Sequence, residues 1–155
     1  MKLSELSPAA GSTKVAKRKG SGMLRDLDSL SDFFDRIFAK SPLPVSVKTR
    51  LGMEEPEEFE KVLTLYNRYP IRELIVHPRV RRQFYDGQVQ IEWFRYAAEH
   101  TAIPLCYNGD IRSLSDAAAL EAQFPGLEAV MVGRGLIADP GMLSGGTEID
   151  TLEAF

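Results

Sequence analysis

An α/β fold on a parallel sheet is the class this sequence predicts, on three observations. Four short apolar runs alternate with segments whose apolar residues recur at helical spacing. Each apolar run ends in glycine or polar and charged residues, as strands do where they enter loops. The 155 residues are 44% hydrophobic and 26% charged, enough for one globular domain with its own core. Alternation at this length implies right-handed crossovers between parallel neighbours.

The elements follow in order. Residues 1–22 are polar, rich in Lys, Ser and Gly, and read as a flexible basic arm. Within it Lys14, Lys17, Arg18 and Lys19 suit either contact with RNA or a solvated tail. The folded body is expected over 23–143 and a loose tail over 144–155. Leu30, Phe33, Phe34, Ile37 and Phe38 fall on one face of a helix that Asp28 or Ser29 caps and Ser41-Pro42 ends. Residues 43–48 form the first strand, and Lys48 is expected near its end on the face of Val45 and Val47. Pro56 opens a helix that turns Phe59, Val62, Leu63 and Tyr66 inward. Leu74-Ile75-Val76 is the second strand and 91–100 the next helix. The third strand spans 103–107, and Ser113 or Ser115 caps a helix through Leu120 and Phe124. Ala129-Val130-Met131-Val132 is the fourth strand.

Composition excludes several functions. A net charge of −3 gives no overall attraction to nucleic acid, so anion binding must be local. The single Cys106 makes no internal disulfide, which points to a reducing, cytoplasmic setting, and its apolar strand makes it a buried, inert thiol. No apolar run approaches the ~20 residues that cross a bilayer, and no signal peptide opens the chain. The two histidines lack metal-ligand spacing.

The polar strand ends carry the chemistry. They read Lys48-Thr49-Arg50-Leu51-Gly52, His77-Pro78-Arg79, Asn108-Gly109-Asp110 and Gly133-Arg134-Gly135. In a parallel structure all four lie on one rim. The two glycine-bearing ends after consecutive strands favour phosphate binding over simple turns. Lys48 is either a cation beside a cofactor ring or a snorkelling surface lysine. His77 donates to a cofactor carbonyl, acts as an acid, or caps its own loop. Arg50, Arg79 and Arg82 with Tyr85 either grip phosphates and stack on a base or form a solvated basic loop.

As a set these residues resemble the tRNA-dihydrouridine synthases, flavin enzymes on a (β/α)8 barrel. The matching pieces are Pro44-Val45-Ser46-Val47-Lys48-Thr49-Arg50-Leu51-Gly52 and Val76-His77-Pro78-Arg79-Val80-Arg81-Arg82-Gln83-Phe84-Tyr85-Asp86-Gly87. Ile103-Pro104-Leu105-Cys106-Tyr107-Asn108-Gly109-Asp110-Ile111 and Val130-Met131-Val132-Gly133-Arg134-Gly135 complete them, in matching order and spacing from about Val15 to Leu143. The resemblance implies a partial TIM (β/α)8 barrel of about four βα units, strands five to eight. It implies FMN, with Lys48 and His77 near its ring and Asn108, Gly109, Asp110, Gly133 and Arg134 at its ribityl phosphate end. It also implies NADPH as reductant and, as substrate, a uracil flipped from tRNA. Arg50, Arg79, Arg82 and Tyr85 become candidate contacts to that uridine or its backbone.

The sequence also departs from the family. Where the catalytic Gly-Cys-Pro turn belongs, the chain reads Pro8-Ala9-Ala10-Gly11-Ser12-Thr13, and Cys106 does not stand in, so no catalytic residue is expected. Pro78 replaces a smaller residue. Strands one to four and the helical tRNA-binding domain have no counterpart. These departures predict a piece inactive alone, with unpaired edges near Val45–Val47 and Val130–Val132 and an exposed apolar interior. Self-association, or docking to a separately encoded first half, is the expected remedy. The alternative is a non-catalytic half barrel kept for RNA binding or other interactions.

Overall fold

The computed structural model describes residues 21–142, Tyr85 excepted. The expected arm therefore lies outside the described residues except for Ser21 and Gly22, which open a 3-10 turn over Ser21–Arg25. The expected tail and residues 8–13 lie outside them entirely.

Helix α1 spans Leu27–Lys40. Its cap is Asp26, not Asp28 or Ser29: the Asp26 carboxylate accepts from the Ser29 amide at 3.1 Å and the Ser29 hydroxyl at 2.6 Å. Ser29 is thus the partner of the cap, one turn in. Strand β1 spans Ser46–Arg50, α2 Glu58–Tyr66, β2 Glu73–His77 and α3 Ile91–His100. Strand β3 spans Leu105–Tyr107, α4 Leu114–Gln123, β4 Ala129–Val130 and α5 Arg134–Ala138. Ser113 caps α4 by accepting from the Asp116 amide at 3.1 Å. Replacing Ser113 with alanine is expected to cost about 1 kcal/mol. That corresponds to a fall of roughly 2–4 °C in Tm by thermal denaturation.

The four strands pair in parallel and in chain order, β1-β2-β3-β4. A doubly wound sheet reverses its order at a switch point and covers both faces. Strict chain order with right-handed crossovers sends every helix to the same face, as in a section of a (β/α)8 barrel. Register separates the two faces. Val47, Thr49, Leu74, Val76, Leu105, Tyr107 and Val130 share the helix side. There they pack with Phe34, Phe59, Val62, Tyr66, Phe94, Leu120 and Phe124. The Tyr66 hydroxyl donates to Thr49 Oγ1 at 2.8 Å within this layer.

Ser46, Lys48, Arg50, Glu73, Ile75, His77, Cys106 and Ala129 share the other face. Two expectations need correction here. Lys48 lies opposite Val47, because successive residues of a strand point to opposite faces. The open face is also not an apolar interior: only Ile75 and Cys106 at its centre are buried hydrophobics, and its upper end is cationic.

Candidate functional site

The strand ends do converge. Lys48, Arg50, His77, Asn108, Asp110 and Arg134 line one cavity of about 590 Å³, with Arg112, Asp139 and the backbone of Gly109 and Gly133 among the rest of its wall. Loops hold it together before any side chain does. Leu51 donates from its amide to Arg79 O at 3.2 Å, Arg81 to Gly52 O at 2.9 Å and Arg82 to Met53 O at 3.0 Å, so the loops after β1 and β2 are laced together. Glu58 braces the first of these loops, accepting from the amides of Met53, Glu54 and Glu55 at 2.8, 3.0 and 2.9 Å. Gly52 is required where that carboxylate folds over, since a Cβ there would sit 2.7 Å from the Glu58 side chain.

Two side-chain connections cross the rim. Lys48 Nζ donates to Asn108 Oδ1, and Asn108 Nδ2 donates to Met131 O at 2.8 Å, linking the ends of β1, β3 and β4. Desolvation and the nearby Arg50 charge lower the Lys48 pKa. The second connection runs through Asp110. Arg79 reaches it with Nη1 at 3.0 Å and Nη2 at 2.6 Å, while Arg134 Nη2 reaches Asp110 Oδ1 at 2.8 Å. Arg79 also donates to Gly87 O at 2.5 Å.

This network changes the expected roles of several residues. Arg79 is 1% exposed, so its guanidinium is a strut between the β2 and β3 loops rather than a surface contact for RNA. Its Nε has no partner. Asp110 offers only acceptor oxygens on its side chain, both engaged by arginines, so its carboxylate orients Arg134 at the cavity. Arg50 donates to Val80 O at 3.0 Å and Phe84 O at 2.6 Å, which makes it a clamp on the basic loop as well as a cavity residue. Arg82 is exposed, beside Glu54 at 3.7 Å and Glu55 at 4.0 Å. Tyr85 lies outside the described residues.

His77 is 7% exposed and 3.4 Å from Arg79 Nη1 through its Nε2. A guanidinium only donates, so Nε2 accepts and the imidazole proton sits on Nδ1. Burial, together with the charges of Arg50, Lys48 and Arg79, pushes its pKa down to about 4, against a smaller opposing effect of Asp110. At neutral pH His77 is a neutral hydrogen-bonding group, not an acid. Cys106 is 3% exposed and burial pushes its thiol up to about 11, so it is no reactive thiolate. Among the described residues no group of side chains could hold a metal ion, and no helix is long and apolar enough to cross a membrane.

Arg112 carries no signal as a cavity residue, since it stands in a polar segment between strand end and helix cap. Gln83, part of the family-like run in the sequence, has a structural role: its Oε1 accepts from the Val80 amide at 3.0 Å and from Gln90 Nε2 at 3.2 Å, folding the basic loop on itself.

A singly wound parallel sheet with arginine, lysine and glycine gathered in a cavity at its carboxyl rim is the architecture of a barrel section. Comparison with known proteins makes this specific: a dihydrouridine synthase family model matches residues 12–154, and the chain belongs to that family. It is 33% identical over 127 residues to a probable tRNA-dihydrouridine synthase of Rickettsia bellii, covering 81% of this chain and 38% of that protein. A probable tRNA-dihydrouridine synthase of Rhizobium leguminosarum is 31% identical, covering 83% of this chain and 42% of its own length. For tRNA-dihydrouridine synthase B of Shewanella oneidensis the identity is 29%, with 82% and 40% covered. The chain thus spans about two fifths of the length of these relatives.

Proposed function

We propose that this chain forms the flavin-phosphate and uridine-facing part of a tRNA-dihydrouridine synthase, its four strands corresponding to strands five to eight of the barrel. The observation that carries the reading is the convergence of Lys48, His77, Asn108 and Arg134 on one cavity in a chain of this family. The donor set fits FMN: a guanidinium oriented by Asp110 stands beside the open backbone of Gly133, where even an added Cβ would meet nothing within 4 Å. The volume lies in the range of ordinary ligand sites. Bound FMN would supply hydride for reducing a uracil, with NADPH as the reductant of the flavin.

The chain's own contribution is positioning and electrostatics. Arg134 and the backbone of Gly109 and Gly133 would hold the phosphate, and Lys48 would place positive charge beside the ring. Neutral His77 would donate through Nδ1 to a carbonyl. Arg50, Arg82 and Tyr85 would face the tRNA, in the cytoplasm where tRNA is modified. Strands β1 and β4 are the outer strands of the described sheet, and in this reading the rest of such a barrel, or a second copy, would close it.

Titrating the chain into FMN and following quenching of flavin fluorescence tests the cofactor. Saturable quenching is expected, weakened about ten- to a hundredfold by Arg134→Ala, the range of a lost hydrogen bond to a charged group. No quenching at high protein concentration would sink the cofactor claim for this chain. A second reading, binding without chemistry, has one observation in its favour: the only thiol is the buried Cys106. Salt-dependent tRNA binding without any flavin binding would favour it.

A further inference from the structure

We propose that Phe84 is a stacking platform for an unpaired RNA base next to the nucleotide held in the rim cavity. This rests on the RNA reading above and adds to it a residue that reads the strand beside the site. Phe84 is 65% exposed and follows Arg81, Arg82 and Gln83 in the chain. Its backbone has φ 50° and ψ −96°, and Phe84 is the only non-glycine with positive φ among the described residues. Bulky residues rarely enter that region, and where they do the surroundings hold them there.

Those surroundings are visible. Arg50 grips Phe84 O at 2.6 Å and Val80 O at 3.0 Å, and the Phe84 amide donates to Arg81 O at 3.1 Å. Because Arg50 also lines the cavity, the Phe84 backbone stands one guanidinium away from the site. A ring held toward solvent by a strained, clamped backbone is preorganised for a ligand that brings its own flat apolar face.

The neighbours define what else that ligand carries. Arg81 and Arg82, successive residues of the 3-10 turn that leads into Phe84, are both exposed. The Arg82 guanidinium makes only exposed, long pairs to Glu54 and Glu55, which a phosphate displaces at little cost. Flat rings joined by phosphates are single-stranded nucleic acid, which aromatic and guanidinium groups bind together.

The test uses the full chain and a fluorescein-labelled oligouridylate. Phe84→Ala and Phe84→Leu are expected to weaken binding by about tenfold or more, since leucine keeps apolarity but lacks a stacking face. Phe84→Trp should keep affinity, and its indole emission should be quenched by RNA beyond the Trp93 background of the parent chain. Phe84→Gly separates strain from stacking: it relieves the positive φ and raises the thermal midpoint, yet weakens RNA binding as alanine does. FMN quenching should be unchanged in all four. If the parent chain binds RNA and the alanine and leucine variants bind equally well, the stacking proposal is overturned and the RNA reading stands. If the parent chain binds no RNA, both are overturned. If Phe84→Ala abolishes self-association while RNA affinity is unchanged, the ring belongs to a protein contact and the proposal is again overturned.

Discussion

Replacing Asp110 with alanine is expected to lower stability by about 3 kcal/mol, a fall of roughly 10 °C in Tm. The cause is what remains behind. Arg79 is 1% exposed, and without its carboxylate it becomes a buried charge whose remaining hydrogen bonds are to Gly87 O and, at long range, His77. Asp110 is itself 30% exposed, so water reaches the vacated position and keeps the effect at the low end for broken buried pairs. Adding Arg79→Met in the alanine background removes the stranded charge and should recover part of the loss, a double-mutant cycle read by thermal unfolding.

The pair also has an acid signature. Hydrogen bonds from Arg79, with the charges of Arg79 and Arg134, hold the Asp110 carboxyl below its ordinary value near 3.8. A carboxyl depressed on folding stabilises the native state above its unfolded pKa and loses that contribution as pH falls through the native one. The parent chain should therefore lose this contribution below about pH 4, and Asp110→Ala should show no such loss. Equal acid sensitivity in both proteins would remove Asp110 as the cause.

The second large effect belongs to His77. Its pKa is about 4 when folded, below the ordinary 6.5, so the unfolded chain binds a proton that the native chain refuses. Stability is greatest above pH 6.5 and falls as pH drops toward 4, by roughly 3 kcal/mol in total. His77→Gln, which keeps a hydrogen-bonding side chain without a titrating one, should flatten that interval. Urea midpoints at several pH values check it. An imidazole resonance of His77 that titrates near 6.5 would contradict both the stability claim and its neutral role in the site.

The sequence and the structure agree most closely where one element settles its own shape. Helix α3 begins and ends where its apolar spacing does, and Ser113 caps α4 through a bond to an amide three residues on. Strand lengths were less legible. Residues 129–132 look like one run, yet only Ala129 and Val130 pair with β3, because pairing depends on what β3 offers. Arg79, Arg81 and Arg82 read as one basic patch, since composition does not separate them. The separation comes from Asp110, 31 residues further on, which draws Arg79 inward and leaves the other two outside. The rim itself was legible because parallel strands must end on one side. Which rim residue acts on ligand and which on another residue was set by contacts between loops.

Chain-order pairing has a consequence for how this protein assembles. Ser46 meets Glu73, Leu74 meets Leu105 and Cys106 meets Ala129. Each zippering step therefore closes a loop of similar size and needs only the strand just laid down. No pairing waits for the two ends of the sheet to find each other, so the entropic cost of closure never accumulates. Amide exchange should accordingly be slowest in β2 and β3, which each have a neighbour on either side, and fastest toward β4, an outer strand whose ladder covers only Ala129 and Val130. The half of the cavity built on Gly133 and Arg134 is then the part that orders last and opens first, and a ligand that bridges it to Lys48 would fasten the far end of the sheet.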